Sequence, residues 1–215
     1  MPLDKLVSMH NGDFRVAGER VPISSRPKKD YYDAYDIIKY SSNIGIVQMV
    51  DELFPNNVSF RDALLEQFPF ERTGITIHGE EGLKIPAVES WGIIDKAWKS
   101  FGYGLQLTAL HILTHYNAIA NKGIAVQPRL VSHTSKLGQT VKAFPTNELG
   151  RLMSAQTAQD LTSMMKLVVN DSRGTAHNAL SSRNVSICGK TGTTKIKDGE
   201  YAYEDDMKRA LFCGF

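Results

Sequence analysis

Val185-Ser186-Ile187-Cys188-Gly189-Lys190-Thr191-Gly192-Thr193 and Arg209-Ala210-Leu211-Phe212-Cys213-Gly214-Phe215 decide how this chain is read. Both runs are short, carry β-branched or aromatic residues, and flank a polar segment. That pattern predicts strands at 185–193 and 209–215. The interval Thr194 to Lys208 predicts their loop, with Glu204-Asp205-Asp206 as its solvated acidic part. In a hairpin closed about that loop, Cys188 and Cys213 come near to facing each other. A bridge between adjacent antiparallel strands demands a narrow Cα separation, so free, mostly buried thiols are expected. The second run is apolar to its last residue. A strand of that kind needs neighbours, which predicts a fragment of a larger domain.

Upstream of the strand pair the pattern is helical. Thr157 to Val169 has Leu161, Met164, Met165 and Val168 at helical spacing, with Gly174 beyond its end. Ile124 to Ser132 reads as extended, and Pro128 places it at an edge. Thr108 opens a helix lined by Leu110, Leu113, Ala118 and Ala120, which Gly123 stops. Residues 71–105 are rich in Gly and read as loops. Ser59 and Asp62 resemble a capping box for a helix through Phe68. Ile44, Val47, Val50 and Phe54 line a helix that follows Ser41-Ser42-Asn43 and ends at Pro55. Asp30 is the expected cap of a helix running to Tyr40. The chain thus divides into an irregular segment (1–30), a mainly helical part (31–123) and a mixed part ending in strands (124–215). The class is α+β, because helices and strands are segregated rather than alternating.

Composition excludes several functions. At 42% hydrophobic and 9% aromatic, the chain can fill a core, so wholesale disorder is excluded. A net charge of +2 with no long basic run is no footprint for nucleic acid. No apolar stretch approaches the roughly 18–20 residues of a membrane span. Asp4 and Lys5 come too early for a signal peptide's apolar segment. Cys188 and Cys213 alone make neither a disulfide framework nor a four-cysteine zinc site. His111 and His115 have i, i+4 spacing but no metalloprotease Glu beside them, which favours a structural reading, and Glu80-Glu81 falls in the Gly-rich segment and reads as loop.

Two short motifs could carry chemistry. On the first strand, Lys190 with the hydroxyls of Thr191 and Thr193 could take a carboxylate, while Gly192 lets another backbone approach. At the break between two helices, Ser41 and Asn43 could present a hydroxyl and an amide to a cleft. Taken singly, each has a plain structural reading: a strand end, and an N-cap.

Together, Ser-x-Asn on a helical loop and Lys-Thr-Gly on a strand resemble the penicillin-recognising serine enzymes, where they accompany a Ser-x-x-Lys nucleophile. The resemblance is to the transpeptidase domain of penicillin-binding proteins, of the monofunctional division type. It extends over Tyr40 to Gly45, Thr73-Gly74-Ile75, Gly79 to Gly82, Ser100 to Thr108, and the helix with Tyr116, Ala120, Asn121 and Gly123. It continues through Val168-Val169, Gly174-Thr175-Ala176, Gly189 to Thr193 and Phe212 to Phe215. The implied fold is the penicillin-binding-protein/serine β-lactamase-like one, incomplete here: a helical lobe plus part of an antiparallel sheet.

The resemblance implies roles. Ser41 would relay a proton, Asn43 would bind the substrate's amide, and Lys190 would supply positive charge. Thr191, Gly192 and Thr193 would line the substrate site, and the Thr193 N–H would be one oxyanion donor. Ser41, Asn43, Lys190 and Thr191 are expected in one cleft. The family's Ser-x-x-Lys belongs farther upstream of Ser-x-Asn than this chain extends, so the nucleophile is expected to lie outside it. Ser25-Arg26-Pro27-Lys28 has Pro where a helix interior should be. Ser163-Met164-Met165-Lys166 comes in the wrong order, and Ser182-Arg183-Asn184 is a stray Ser-x-Asn. The resemblance implies no metal or organic cofactor. The implied partners are peptidoglycan stem peptides, β-lactams and division-complex proteins. The implied location is the extracytoplasmic face of the cell membrane, reached through an N-terminal anchor not in this chain. Rival readings are a non-catalytic peptide- or protein-binding module and a serine β-lactamase-like hydrolase or sensor.

Overall fold

The structure is a computed structural model that describes residues 2–75, 78–182, 184–195 and 208–215. In chain order the elements are β1 (Val7–Ser8), β2 (Arg15–Val16), β3 (Glu19–Arg20), β4 (Tyr31–Tyr32), α1 (Ala34–Lys39), α2 (Asn43–Leu53), α3 (Asn57–Gln67) and α4 (Asp95–Ser100). There follow α5 (Ala109–Ala120), β5 (Ile124–Val126), β6 (His133–Lys136), β7 (Gln139–Ala143), β8 (Glu148–Arg151), α6 (Ala155–Asn170), α7 (His177–Leu180), β9 (Gly189–Lys195) and β10 (Lys208–Gly214). The strands pair antiparallel as β1–β4, β2–β3, β5–β8, β6–β7 and β9–β10. Helices and sheet are segregated, as the α+β reading expects.

The chain forms two compact units. The first comprises Met1–Arg61, Pro86–Leu105 and Thr162–Phe215. Its main core joins Val7, Met9, Val21, Tyr32, Ile37, Tyr40, Ile44, Val47 and Ala97. A second cluster gathers Val168, Val169 and Ala176, with Ile38, Leu180 and Ile187 packed against them. Gly45 makes the α1–α2 approach possible: a Cβ there would lie 2.5 Å from Ile37 Cγ1.

The second unit comprises Asp62–Ile85 and Gln106–Leu161. On α5 it buries His111, Thr114, Ala118 and Ile119; of the expected stripe Leu110, Leu113, Ala118 and Ala120, Ala118 is buried as expected, whereas Leu113 and Ala120 are exposed. The reason is a polar interior contact. His111 is satisfied on both ring nitrogens, by Thr108 Oγ1 at 2.7 Å and the Glu71 carbonyl at 3.0 Å. Burial pushes the pKa of neighbouring His115 down, and its hydrogen bond to the Gln67 backbone only partly opposes that.

Other expectations shift for local reasons. Helix α1 is capped by Asp33, whose carboxylate accepts from the Asp36 N–H at 2.8 Å, because Tyr31–Tyr32 is drawn into a strand with β1. Asn56, not Ser59, caps α3, accepting from the Ser59 N–H at 2.9 Å. Helix α4 lies inside the segment read as loop; at six residues it is too short for periodicity to reveal. The extended run from Ile124 stops at Val126, and the fully exposed β6–β7 hairpin follows. Across the closing strands Cys213 faces Lys190, while Cys188 exchanges backbone bonds with Phe215, a register two residues from the expected one. Both thiols are free. Most of the expected loop 194–208, including Glu204-Asp205-Asp206, lies outside the described residues.

Candidate active site

Helix α1 ends in a Schellman turn. The Ser42 N–H reaches the Ile37 carbonyl at 2.9 Å, and the Ser41 N–H reaches the Ile38 carbonyl at 3.2 Å. This places Ser41 at the position glycine usually takes, with φ of 53°. Ser42 then caps α2, accepting from the Gly45 N–H at 3.2 Å. The tight junction holds the Ser41 hydroxyl outside both helices.

That hydroxyl meets β9. Lys190 Nζ donates to Ser41 Oγ at 2.7 Å across 149 residues of sequence, and to the Thr191 carbonyl at 3.0 Å. Burial lowers the Lys190 pKa to about 8, because desolvation disfavours the ammonium. A lysine poised there is still mostly charged at neutral pH, yet can part with its proton far more readily than an exposed one.

The ladder decides which backbone groups of β9 are available. Cys188 and Phe215 exchange both of their backbone bonds at 2.8 Å. By antiparallel alternation, Lys190 and Gly192 bond toward β10, while the N–H groups of Thr191 and Thr193 point away from it. β9 has no second strand among the described residues. The Thr193 N–H therefore lies on an open edge, where an oxyanion or an extended peptide could be received.

The other expected residues are only partly gathered. Asn43, on the first turn of α2, donates to the Pro22 carbonyl at 2.8 Å. Thr191 Oγ1 lies 2.9 Å from Thr175 Oγ1. The Gly174-Thr175-Ala176 stretch carries no signal in the sequence that Thr175 reaches β9; only the contact with Thr191 shows it. Ser41 and Asn43 also line a cavity of about 20 Å³ together with residues 23–28, which neither Lys190 nor Thr191 lines. A cavity of about 740 Å³, bordered by Val7, Val16, Val47 and Ala97, contains none of these groups.

The alternative letters gain no chemistry from the fold. Ser25 and Lys28 are exposed on an irregular bend, and Ser163 and Lys166 are exposed on α6. Ser182 is exposed, and Arg183 lies outside the described residues. Glu80 accepts from the Thr73 N–H at 2.8 Å and its hydroxyl at 2.5 Å. Burial opposes its charge, but those bonds outweigh burial and hold the carboxyl below the usual range. It serves a turn. No group of three or more His, Cys, Asp or Glu that could hold a metal occurs among the described residues.

Comparisons with known proteins place this geometry. Residues 13–215 match the family model described as penicillin binding protein transpeptidase domain. Penicillin-binding protein PbpB of Mycobacterium tuberculosis is 30% identical over 188 residues, covering 85% of this chain and 27% of that protein. The probable peptidoglycan D,D-transpeptidase PbpC of Pseudomonas aeruginosa is 27% identical over 215 residues, covering 97% of this chain and 34% of that protein. The chain thus spans about a third or less of the length of these curated relatives. Among solved structures, penicillin-binding protein 3 of M. tuberculosis with ampicillin superposes with a TM-score of 0.82 at 26% identity, covering 99% of this chain and 47% of that one. The apo transpeptidase domain of penicillin-binding protein 3 from Burkholderia pseudomallei gives 0.80 at 24% identity, covering 99% and 60%.

Proposed function

Because this chain belongs to the transpeptidase-domain family of penicillin-binding proteins, we propose that it supplies the Ser-x-Asn and Lys-Thr-Gly part of a peptidoglycan D,D-transpeptidase. The reaction is acyl transfer. A serine activated by its lysine attacks the D-Ala–D-Ala carbonyl, the terminal D-Ala leaves as a free amine, and the amine of a second stem peptide takes the acyl group. The observation that carries this reading is the 2.7 Å contact between Ser41 and Lys190, which joins the two motifs in one hydrogen bond.

Each residue of this chain has a distinct task. Ser41 relays to the departing amine the proton released by the attacking serine and its lysine, so its own hydroxyl is restored. The Lys190 ammonium that donates to Ser41 Oγ orients it. The Lys190 charge attracts the substrate carboxylate, and the hydroxyls of Thr191 and Thr193 bind it beside Gly192. The Thr193 N–H faces the developing oxyanion, and losing one such donor costs about 10²–10³ in rate. Asn43 binds the substrate's amide after exchanging its bond to Pro22. The acylated serine is none of Ser25, Ser41 or Ser163, since neither Ser-x-x-Lys in this chain stands on a buried helix start. The whole protein works on the extracytoplasmic face of the membrane with division proteins as partners. No described helix of this chain is long and apolar enough to cross a membrane.

The test is benzylpenicillin added to the isotope-labelled chain. NMR shifts are expected at Lys190, Thr191 and Thr193 and are expected to vanish in Lys190→Ala, with the intact mass unchanged. Shifts confined elsewhere overturn the site. A gain of one antibiotic mass overturns the claim that no serine here is the nucleophile.

A further inference from the structure

Lys39 stands two residues before Ser41, yet its side chain is only 7% exposed. A charge so deep persists only when it is paired. Its Nζ lies 3.1 Å from Asp36 Oδ1 and 3.5 Å from Asp171 Oδ2, and 4.5 Å from the centre of the Tyr40 ring. Lys29 takes the other Asp36 oxygen at 2.8 Å. Burial opposes the Asp36 charge, but the bonds from Lys29 and Lys39 outweigh it and hold its carboxyl below the usual range.

The two acids belong to different parts of the first unit. Asp36 is on α1 itself, a six-residue helix that is marginal without tertiary contacts. Asp171 follows α6 and organises the next turn. Its carboxylate accepts from the Arg173 N–H at 2.9 Å, its carbonyl from the Gly174 N–H at 2.8 Å. The turn closes where the Ala176 N–H meets the Val168 carbonyl at 3.0 Å. Thr175, between Gly174 and Ala176, is thereby delivered to Thr191, whose carbonyl takes the second bond of Lys190. The contacts form a ring: Ser41, Lys190, Thr191, Thr175, the 171–175 turn, Asp171, Lys39 and back to Ser41.

We propose that Lys39 is a positioning residue, tying the end of α1 that carries Ser41 to the turn that sets Thr175 against Thr191. This rests on the reading of Ser41 and Lys190 as the site. Ser41 needs such a tie, because a left-handed backbone at a residue other than glycine persists only where its surroundings over-determine it. Lys39 and Asp171 touch no substrate in this account; they fix the distance over which Ser41 and Lys190 meet.

The experiment follows the Lys190 side chain by NMR titration in the labelled chain. The wild-type midpoint is expected near 8. A midpoint at the ordinary 10.5 overturns the site itself, before any variant is made. Given the lower value, Asp171→Asn keeps an oxygen for the Arg173 N–H but removes the charge that ties Lys39 to the 171–175 turn, leaving Lys39 paired with Asp36 alone. The midpoint is then expected to rise toward 10.5, as Lys190 separates from Ser41 and gains water. Lys39→Met is expected to raise it further, and Lys39→Arg to bring it back. Val47→Ala weakens the core under α2 and is expected to leave the midpoint in place. An unmoved midpoint in Asp171→Asn, or an equal rise in Val47→Ala, overturns the positioning role, whether or not Lys39→Met folds.

Discussion

Ser41 and Lys190 meet in one hydrogen bond, but the two sides of that bond are held differently. Ser41 sits in a turn whose backbone hydrogen bonds are local, running from Asp36 to Ile46. Lys190 sits on a strand whose ladder partner across the pair is Cys213, with no strand on its other edge among the described residues. The helical side is fixed by caps and a buried ion network; the strand side has a single neighbour. In the proposed site, the hydroxyl that relays a proton is then on the locally closed element, and the lysine and backbone donors that receive a ligand are on the open one.

The largest expected effect tests the helical side. Lys39→Met removes the buried cation that Asp36 and Asp171 share, while Asp36 keeps Lys29 and Asp171 keeps Arg173. The loss should approach, without exceeding, the about 3–5 kcal/mol of breaking a buried pair. Urea unfolding should show that loss. A value near zero would mean the helical side is held by its caps alone, and the contrast between the two sides would disappear.

The next effect reads the strand side through pH. The Lys190 ammonium is lost as pH rises through about 8, so affinity for an anionic β-lactam should fall over that range. One charge-assisted hydrogen bond is worth about 1.5–3 kcal/mol, a change calorimetry resolves. Stability should move the opposite way. Between about 8 and 10.5 the unfolded chain keeps the proton that folded Lys190 has released, so folding becomes more favourable as pH rises. Affinity that holds constant to pH 10 would separate Lys190 from ligand binding.

Gly189→Ala probes the pairing of β9 with β10. A Cβ at Gly189 would lie 2.7 Å from the Cys213 carbonyl oxygen and from Phe212 Cε2. Overpacking of this kind costs about 1–3 kcal/mol. The strand pair should weaken while the α1–α2 junction keeps its amide protection from hydrogen exchange; equal loss at both would show that the two sides unfold together.

The smallest effect is at Ser41 itself. Ser41→Gly and Ser41→Ala both remove the hydroxyl, but only glycine relieves the left-handed backbone. The glycine variant should be more stable by about 1 kcal/mol, measured by thermal unfolding. Equal stabilities would mean that the turn does not constrain this residue in solution.

Much of this was legible in the chain itself. Ser42 and Asn43 announce the start of α2, Thr108 caps α5, Gly123 ends it, and the final strands are marked by their residue types, because these signals act within a few residues. The pairing of Ser-x-Asn with Lys-Thr-Gly also pointed to the site. What only the tertiary structure decided lies in contacts between distant segments. The buried face of α5 turned on a bond from His111 to the Glu71 carbonyl. The register of β9 and β10 placed Cys213, and not Cys188, beside Lys190 in the ladder. Thr175 reached Thr191, Lys39 reached Asp171, and Asn43 turned to Pro22. Capping and turn preferences are energies of neighbouring residues and can be read in order along a chain. The desolvation of Lys190 and the pairing of Lys39 depend on what surrounds a charge in three dimensions, which no local pattern records.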